Sequence, residues 1–159
     1  MSVTPSNGPT DHATALVVSL GGRAHGLLVT GPSGAGKSSL LAALLDRAAL
    51  AGRFARLVAD DRVTLEARGG RLLARAPVAL LGRMELRGLG IVAAPCLCAA
   101  RLHAHVALCD AVERMPDAAF SGWHGVCLPR LAVSCRDPLA AIKVERWLSG
   151  NRVEPSAGR

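Results

Sequence analysis

Apolar and polar positions alternate along this chain in two rhythms. Ala13–Leu20 (ATALVVSL) and Leu27–Thr30 (LLVT) are short apolar runs, and they read as strands joined by the glycine-rich turn GGRAHG. Over Ser38–Leu50 the rhythm changes. Leu40, Leu41, Leu44, Leu45 and Ala48 recur at helical spacing, and Gly52 supplies a stop. Arg56–Ala59 is then a short buried strand, expected to return parallel to the one before the helix. Val63–Ala67 and Arg71–Ala74 flank Gly69-Gly70, a hairpin signal.

After Pro77 the pattern loosens. Gly82, Gly88 and Gly90 interrupt LGRMELRGLGIV, which reads as a shaped loop and not as a regular strand. A strand is expected within residues 99–112, a loop over Pro116–Gly125, a strand over Cys127–Val133 and a helix over Pro138–Leu148. The expected organisation is a flexible leader over residues 1–11, one domain over 12–148 and a polar tail over 149–159. There is no internal repeat. Strands alternating with helices give an α/β class.

Composition narrows this picture. The 159 residues are half hydrophobic, enough for one domain with a core. No apolar run reaches the roughly 18 residues of a membrane span, and the amino-terminal stretch has no charged-then-apolar export pattern. The expectation is a cytoplasmic protein that binds no membrane. The formal charge of +7 could attract polyanions, but the basic residues are scattered, and there is no Tyr, with two Phe and two Trp. Base stacking calls for aromatic platforms, so nucleic acid is not the expected partner. Five cysteines without an export signal read as reduced thiols. Cys96-Leu97-Cys98 and His103-Ala104-His105 have the wrong spacing for the usual zinc pair; small buried thiols on strands are the simpler reading.

The chemistry concentrates elsewhere. Gly31-Pro32-Ser33-Gly34-Ala35-Gly36-Lys37-Ser38 matches the Walker A pattern, between an apolar strand and a periodic helix. Glycines let backbone N–H groups turn toward phosphate oxygens, Lys37 brings charge to the outer phosphates, and the Ser38 hydroxyl can ligate Mg²⁺. The helix adds its positive dipole end. Asp60 and Asp61 end the next strand, the edge where α/β sheets bind ligands. One carboxylate there can hold the Mg²⁺ shell and another can accept the proton of an attacking hydroxyl. Glu85 and Arg87 are charges among apolar neighbours; the first could ligate metal and the second hold a phosphoryl group.

His12-Ala-Thr, GPSGAGKS, LVADD and MELRGLGIV, in this order with short connections, resemble the catalytic domain of the HPr kinase/phosphorylase family. The likeness covers about residues 12–93. Glu113-Arg114-Met115-Pro116, Leu128-Pro129-Arg130-Leu131 and Ala140–Lys143 look like the short alphaproteobacterial form. The resemblance implies a P-loop-containing kinase domain of the HPr kinase type, with a central sheet and flanking helices. It implies ATP and Mg²⁺ as cofactors, the phosphocarrier HPr as protein substrate and a homo-oligomer, commonly a hexamer. Family members also dephosphorylate by phosphorolysis.

Position by position, it implies that Gly31–Ser38 bind the nucleotide phosphates, with Lys37 catalytic. Asp61 is the acid/base, Asp60 supports it or the metal shell, and Ser38 and Glu85 hold Mg²⁺. Met84–Ala93, with Arg87 inside it, is the signature loop. His12 is the active-site histidine, with His25 in competition because GGRAHG lengthens the segment. Arg114 stands where the family has a catalytic arginine. Ser39 replaces the family's usual acidic residue, and no Pro-Gly-Arg-Asn stretch matches its dephosphorylation loop, so phosphorylase activity is expected to be weak or absent. No aromatic platform for adenine lies near the loop, which fits a site that reads phosphates and takes ATP or pyrophosphate as donor. The competing readings are a P-loop phosphotransferase for another acceptor and a non-catalytic nucleotide sensor.

Overall fold

The computed structural model describes residues 10–150. In chain order it contains β1 (Thr10–Asp11), β2 (Thr14–Leu20), β3 (Arg23–Thr30), α1 (Lys37–Leu50), β4 (Ala55–Ala59), β5 (Val63–Arg68) and β6 (Arg71–Arg75). A 3₁₀ turn at Val78–Leu80 leads to β7 (Arg83–Leu86) and β8 (Gly90–Ala93). Then come β9 (Ala99–Leu102), β10 (Ala104–Cys109), β11 (Ala119–Trp123), β12 (Val126–Ser134) and α2 (Ala140–Leu148). The expected leader and tail lie mostly outside the described residues. Residues 10–11 of that leader pair with β5 as a strand.

Six strands form the central sheet in the order β11-β12-β10-β3-β2-β4. β3, β10 and β12 run parallel, and β2 runs antiparallel to both β3 and β4. The strand after α1 therefore has the direction expected of it but not the neighbour: β2 lies between β3 and β4. One face of the sheet is covered by both helices. Leu40, Leu41, Leu44 and Ala48 of α1, with Ala141 and Val144 of α2, pack on Leu16, Leu27, Val29, Leu57 and Val106. The other face is covered by a second sheet, in the order β1-β5-β6-β9. There Val63, Leu65, Leu72, Ala74 and Leu102 meet Ala15, Val17, Leu28 and Val58. Alternation along β3 drives both layers, because Leu27 and Val29 face the helices while Leu28 faces the second sheet.

Several expectations are corrected. The segment read as a shaped loop is a hairpin, β7 paired with β8. Its glycines had obscured the alternation of Met84 and Leu86 toward the helix-side core against exposed Arg83, Glu85 and Arg87. The loop expected at Pro116–Gly125 contains β11, which pairs with β12. The strand expected within 99–112 is two strands in different sheets, broken at His103. His103 and His105 consequently do not line one face as a pair. His103 is exposed and accepts the Gly26 N–H at 3.0 Å, whereas His105 is buried. β9 crosses β3 at Gly26, where a Cβ would sit 1.8 Å from the Arg101 carbonyl oxygen. Among the described residues, no three His, Cys, Asp or Glu side chains form a metal-binding group, and no helix is long and apolar enough to cross a membrane.

Candidate active site

The parallel strands β3 and β10 and the like-directed β4 all end at one edge of the central sheet. The antiparallel β2 begins there, since Thr14 pairs with Val29. Into this edge opens a cavity of about 500 Å³. Ser33, Gly34, Gly36, Lys37 and Ser38 form one wall, Asp60, Asp61 and Arg62 another, and Arg83, Glu85 and Arg87 of the β7–β8 hairpin a third.

The loop wall follows from local geometry. Gly34 has φ 80° and Gly36, the residue capping α1, has φ 90°. Both lie in the left-handed region that side chains resist. Gly31 is required by packing: a Cβ there would lie 2.9 Å from Leu108 Cβ on β10. No side chain caps α1 and no acidic residue stands in its first turn, so its amino-terminal N–H groups and dipole face the cavity. Lys37 is buried and donates to the carbonyls of Gly31 (2.9 Å) and Pro32 (3.2 Å), folding back over its own loop. Ala35 is buried beneath.

Asp60 is the hub. Its Oδ1 accepts hydrogen bonds from Ser38 Oγ at 2.7 Å and Thr14 Oγ1 at 3.2 Å, and its Oδ2 accepts one from the Glu85 N–H at 3.0 Å. One buried carboxylate thus joins α1, β2 and β7. Thr14 threads the two aspartates: its hydroxyl donates to Asp60 and accepts the Asp61 N–H at 3.2 Å. Asp61 has φ 64°, a left-handed conformation that Asp tolerates better than most residues, and it is exposed on the cavity wall. The adjacent carboxylates are divided: Asp60 is fixed by hydrogen bonds, Asp61 projects toward the open volume. Across from them, Arg87 closes on the loop, with its Nη2 3.5 Å from where a Gly34 Cβ would be.

The structure therefore brings together Gly34, Gly36, Lys37, Ser38, Asp60, Asp61, Glu85 and Arg87. Two expected residues stand apart. His12 is exposed at the cavity edge of the sheet but does not line the cavity, and Arg114 is exposed in the segment after β10, also outside the lining. His25 pairs opposite Val18, toward the far end of β2 and β3, and its Nε2 contacts the Leu20 carbonyl; that location removes it from competition with His12 for a place near the loop. Thr14, Arg62 and Arg83 were missed as contributors. The outward alternation of Arg83, Glu85 and Arg87 could have flagged Arg83; a lone Thr before an apolar run carries no such signal.

A family model for the HPr serine kinase C-terminal domain matches residues 10–101, more than half of the chain and every residue of the cavity lining. The chain belongs to that family. HPr kinase/phosphorylase from Clostridium tetani is 42% identical over 72 residues, covering 45% of this chain and 22% of the relative. That from Clostridium beijerinckii is 42% identical over 67 residues, covering 42% of this chain and 20% of the relative. The matched segment thus spans about a fifth of these relatives' length. The HPr(Ser) kinase/phosphatase of Coxiella burnetii superposes with a TM-score of 0.71 at 24% identity, covering 91% of this chain and 97% of that one. The HPr kinase fold therefore extends over nearly the whole chain, well past the residues that the sequence likeness reaches.

Proposed function

We propose that this protein is an ATP-dependent serine protein kinase whose acceptor is an HPr-type phosphocarrier, working in the cytoplasm on the phosphotransferase system as one domain over residues 12–148. The observation that carries the reading is the pairing of Ser38 Oγ with Asp60 Oδ1 at 2.7 Å, beside an Asp61 that projects into the same cavity.

In this reading Gly31–Ser38 and the start of α1 hold the nucleotide phosphates, and Lys37 swings from its loop carbonyls to the outer phosphates. The donor set suits Mg²⁺: Ser38 and Asp60 are oxygen ligands, with Glu85 nearby, and Mg²⁺ takes few protein ligands when phosphate oxygens and water complete its octahedron. Bound there, the cation would neutralise charge on the phosphates. Asp61 accepts the proton of the acceptor serine as its oxygen attacks the terminal phosphorus, the bond from that phosphorus to the bridging oxygen breaks and ADP leaves, and Arg87 holds the moving phosphoryl group. His12 and Arg114 are the remaining catalytic residues of this reading. Phosphorolysis is weak or absent, and copies of the chain associate, with a hexamer as the expected assembly.

The test is to mix the purified protein with Mg-ATP and the HPr-type phosphocarrier of the same organism, then read intact mass and map the site. One added phosphoryl group on a serine, lost with Asp61→Asn while nucleotide binding persists, is the expected result. Transfer that survives Asp61→Asn would overturn the base assignment. ATP binding with no transfer would move the reading to another acceptor or to a nucleotide sensor.

A further inference from the structure

His105 is a buried titratable side chain that the proposed chemistry does not use. It lies on β10, where Ala104, Val106 and Leu108 face the helices, so it points the other way, toward β11. Its Nε2 lies 2.7 Å from Thr30 Oγ1 and its Nδ1 2.8 Å from Ser121 Oγ. Trp123 Nε1 donates to the same Ser121 oxygen at 3.2 Å, and the Trp123 ring meets the imidazole edge to face at 5.3 Å. Indole N–H can only donate. Ser121 Oγ therefore accepts from Trp123, and the direction of the two imidazole bonds, to Ser121 and to Thr30, follows the His105 tautomer. The relay ends at the residue immediately before Gly31. The Gly31 carbonyl accepts Lys37 Nζ at 2.9 Å, and Gly31 itself is packed against Leu108 on the same strand as His105.

We infer that His105 is a positioning residue for the phosphate-binding loop: through Thr30 it fixes the peptide that opens the loop, and through Ser121 it is itself oriented by the β11–β12 ribbon. The nucleotide role of that loop rests on the function proposed above; the positioning of the loop does not. β10 thus holds the loop start twice, by Leu108 contact and by the Thr30 hydrogen bond.

The two imidazole nitrogens can be removed separately. Gln at position 105 places an amide where Nε2 stood and keeps the bond to Thr30, while Asn reaches only the Nδ1 position and keeps Ser121. Thr30→Val removes the hydroxyl partner and preserves shape. Amide hydrogen exchange over residues 31–38 is compared in wild type, His105→Asn, His105→Gln and Thr30→Val, with the Kd for Mg-ATP and the Tm of each. We expect exchange in the loop to quicken and Kd to weaken about tenfold in His105→Asn and Thr30→Val. His105→Gln should stay within about twofold, and the His105→Asn/Thr30→Val double variant should be no worse than either single change. Equal losses in Gln and Asn that track Tm, or faster exchange confined to residues 119–123, would reduce His105 to a ribbon anchor and overturn the inference. If wild type binds no nucleotide but loop exchange still separates Asn from Gln, the positioning stands and the kinase reading falls.

Discussion

Asp60 and Glu145 are both buried carboxylates that tie separate elements together, and they are satisfied by opposite kinds of partner. Glu145 on α2 meets two arginines: Arg47 of α1 donates to Oε2 at 2.8 and 3.0 Å, and Arg53, after that helix, donates to Oε1 at 2.9 Å. Asp60 meets two hydroxyls and a backbone N–H, and no cation pairs with it among the described residues. Neutral donors fix its geometry without cancelling its charge. Glu145 is electrostatically complete and clamps the helix layer. Asp60 is oriented by neutral donors at the cavity wall with no paired cation against it among the described residues, an arrangement suited to attracting one.

The sharpest way to break this contrast is a crossed pair of charge-removing variants. Asp60→Asn should lower phosphoryl transfer on the order of 10²–10³-fold and raise the Mg²⁺ concentration needed, with a Tm loss of a few °C beside it because an amide cannot accept at both ends. A Tm loss with transfer intact would place Asp60 beside Glu145 as a structural clamp. Glu145→Gln should do the reverse, leaving transfer unchanged while Tm falls by on the order of 5 °C in a melting curve.

Acid titration sharpens the comparison further. Burial pushes the Glu145 carboxyl up, but the hydrogen bonds and charges of Arg47 and Arg53 outweigh it and hold the group below its usual range. Its contribution is present above the ordinary carboxylate pKa and is lost as pH falls through the lower folded value. His105 fails earlier. Burial, then the charge of Arg130, lowers it from 6.5 to about 4. Between these values the unfolded chain takes up a proton that the folded one refuses, so stability falls as pH falls from 6.5 toward 4. The slope is at most about 1.4 kcal/mol per pH unit. Melting curves across that window should show this slope in wild type and its loss in His105→Gln. The smallest effect belongs to Arg114→Ala. Outside the cavity lining, this change should leave nucleotide Kd within about twofold; a tenfold loss would mean that its loop closes over the nucleotide.

What was legible in the sequence was chemistry held in contiguous residues. Gly31–Ser38 carries its own geometry, and Asp60-Asp61 and Glu85 stood out as charges against apolar runs. Glycines at 82, 88 and 90 hid the β7–β8 hairpin, because glycine punctuates turns and also opens strands. Strand order was not written in any local pattern. That β2 inserts between β3 and β4 depends on which apolar faces meet, and with it went the role of Thr14, whose hydroxyl matters only because its strand lies beside both site-bearing strands. His103 and His105 form a pair by spacing alone; the interruption between β9 and β10 at residue 103 puts them in different surroundings.

The position of β10 has a practical corollary for handling this protein. All cavity-lining residues fall between Ser33 and Ile91, inside the family-matched segment that ends at residue 101. Shortening the chain to that segment would nevertheless remove β10 from the middle of the sheet. Leu27, Leu28 and Val29 would then present bare backbone donors and acceptors on a flat apolar edge, a template for the next molecule to add to. Such a fragment would retain every cavity-lining residue and be lost to precipitation.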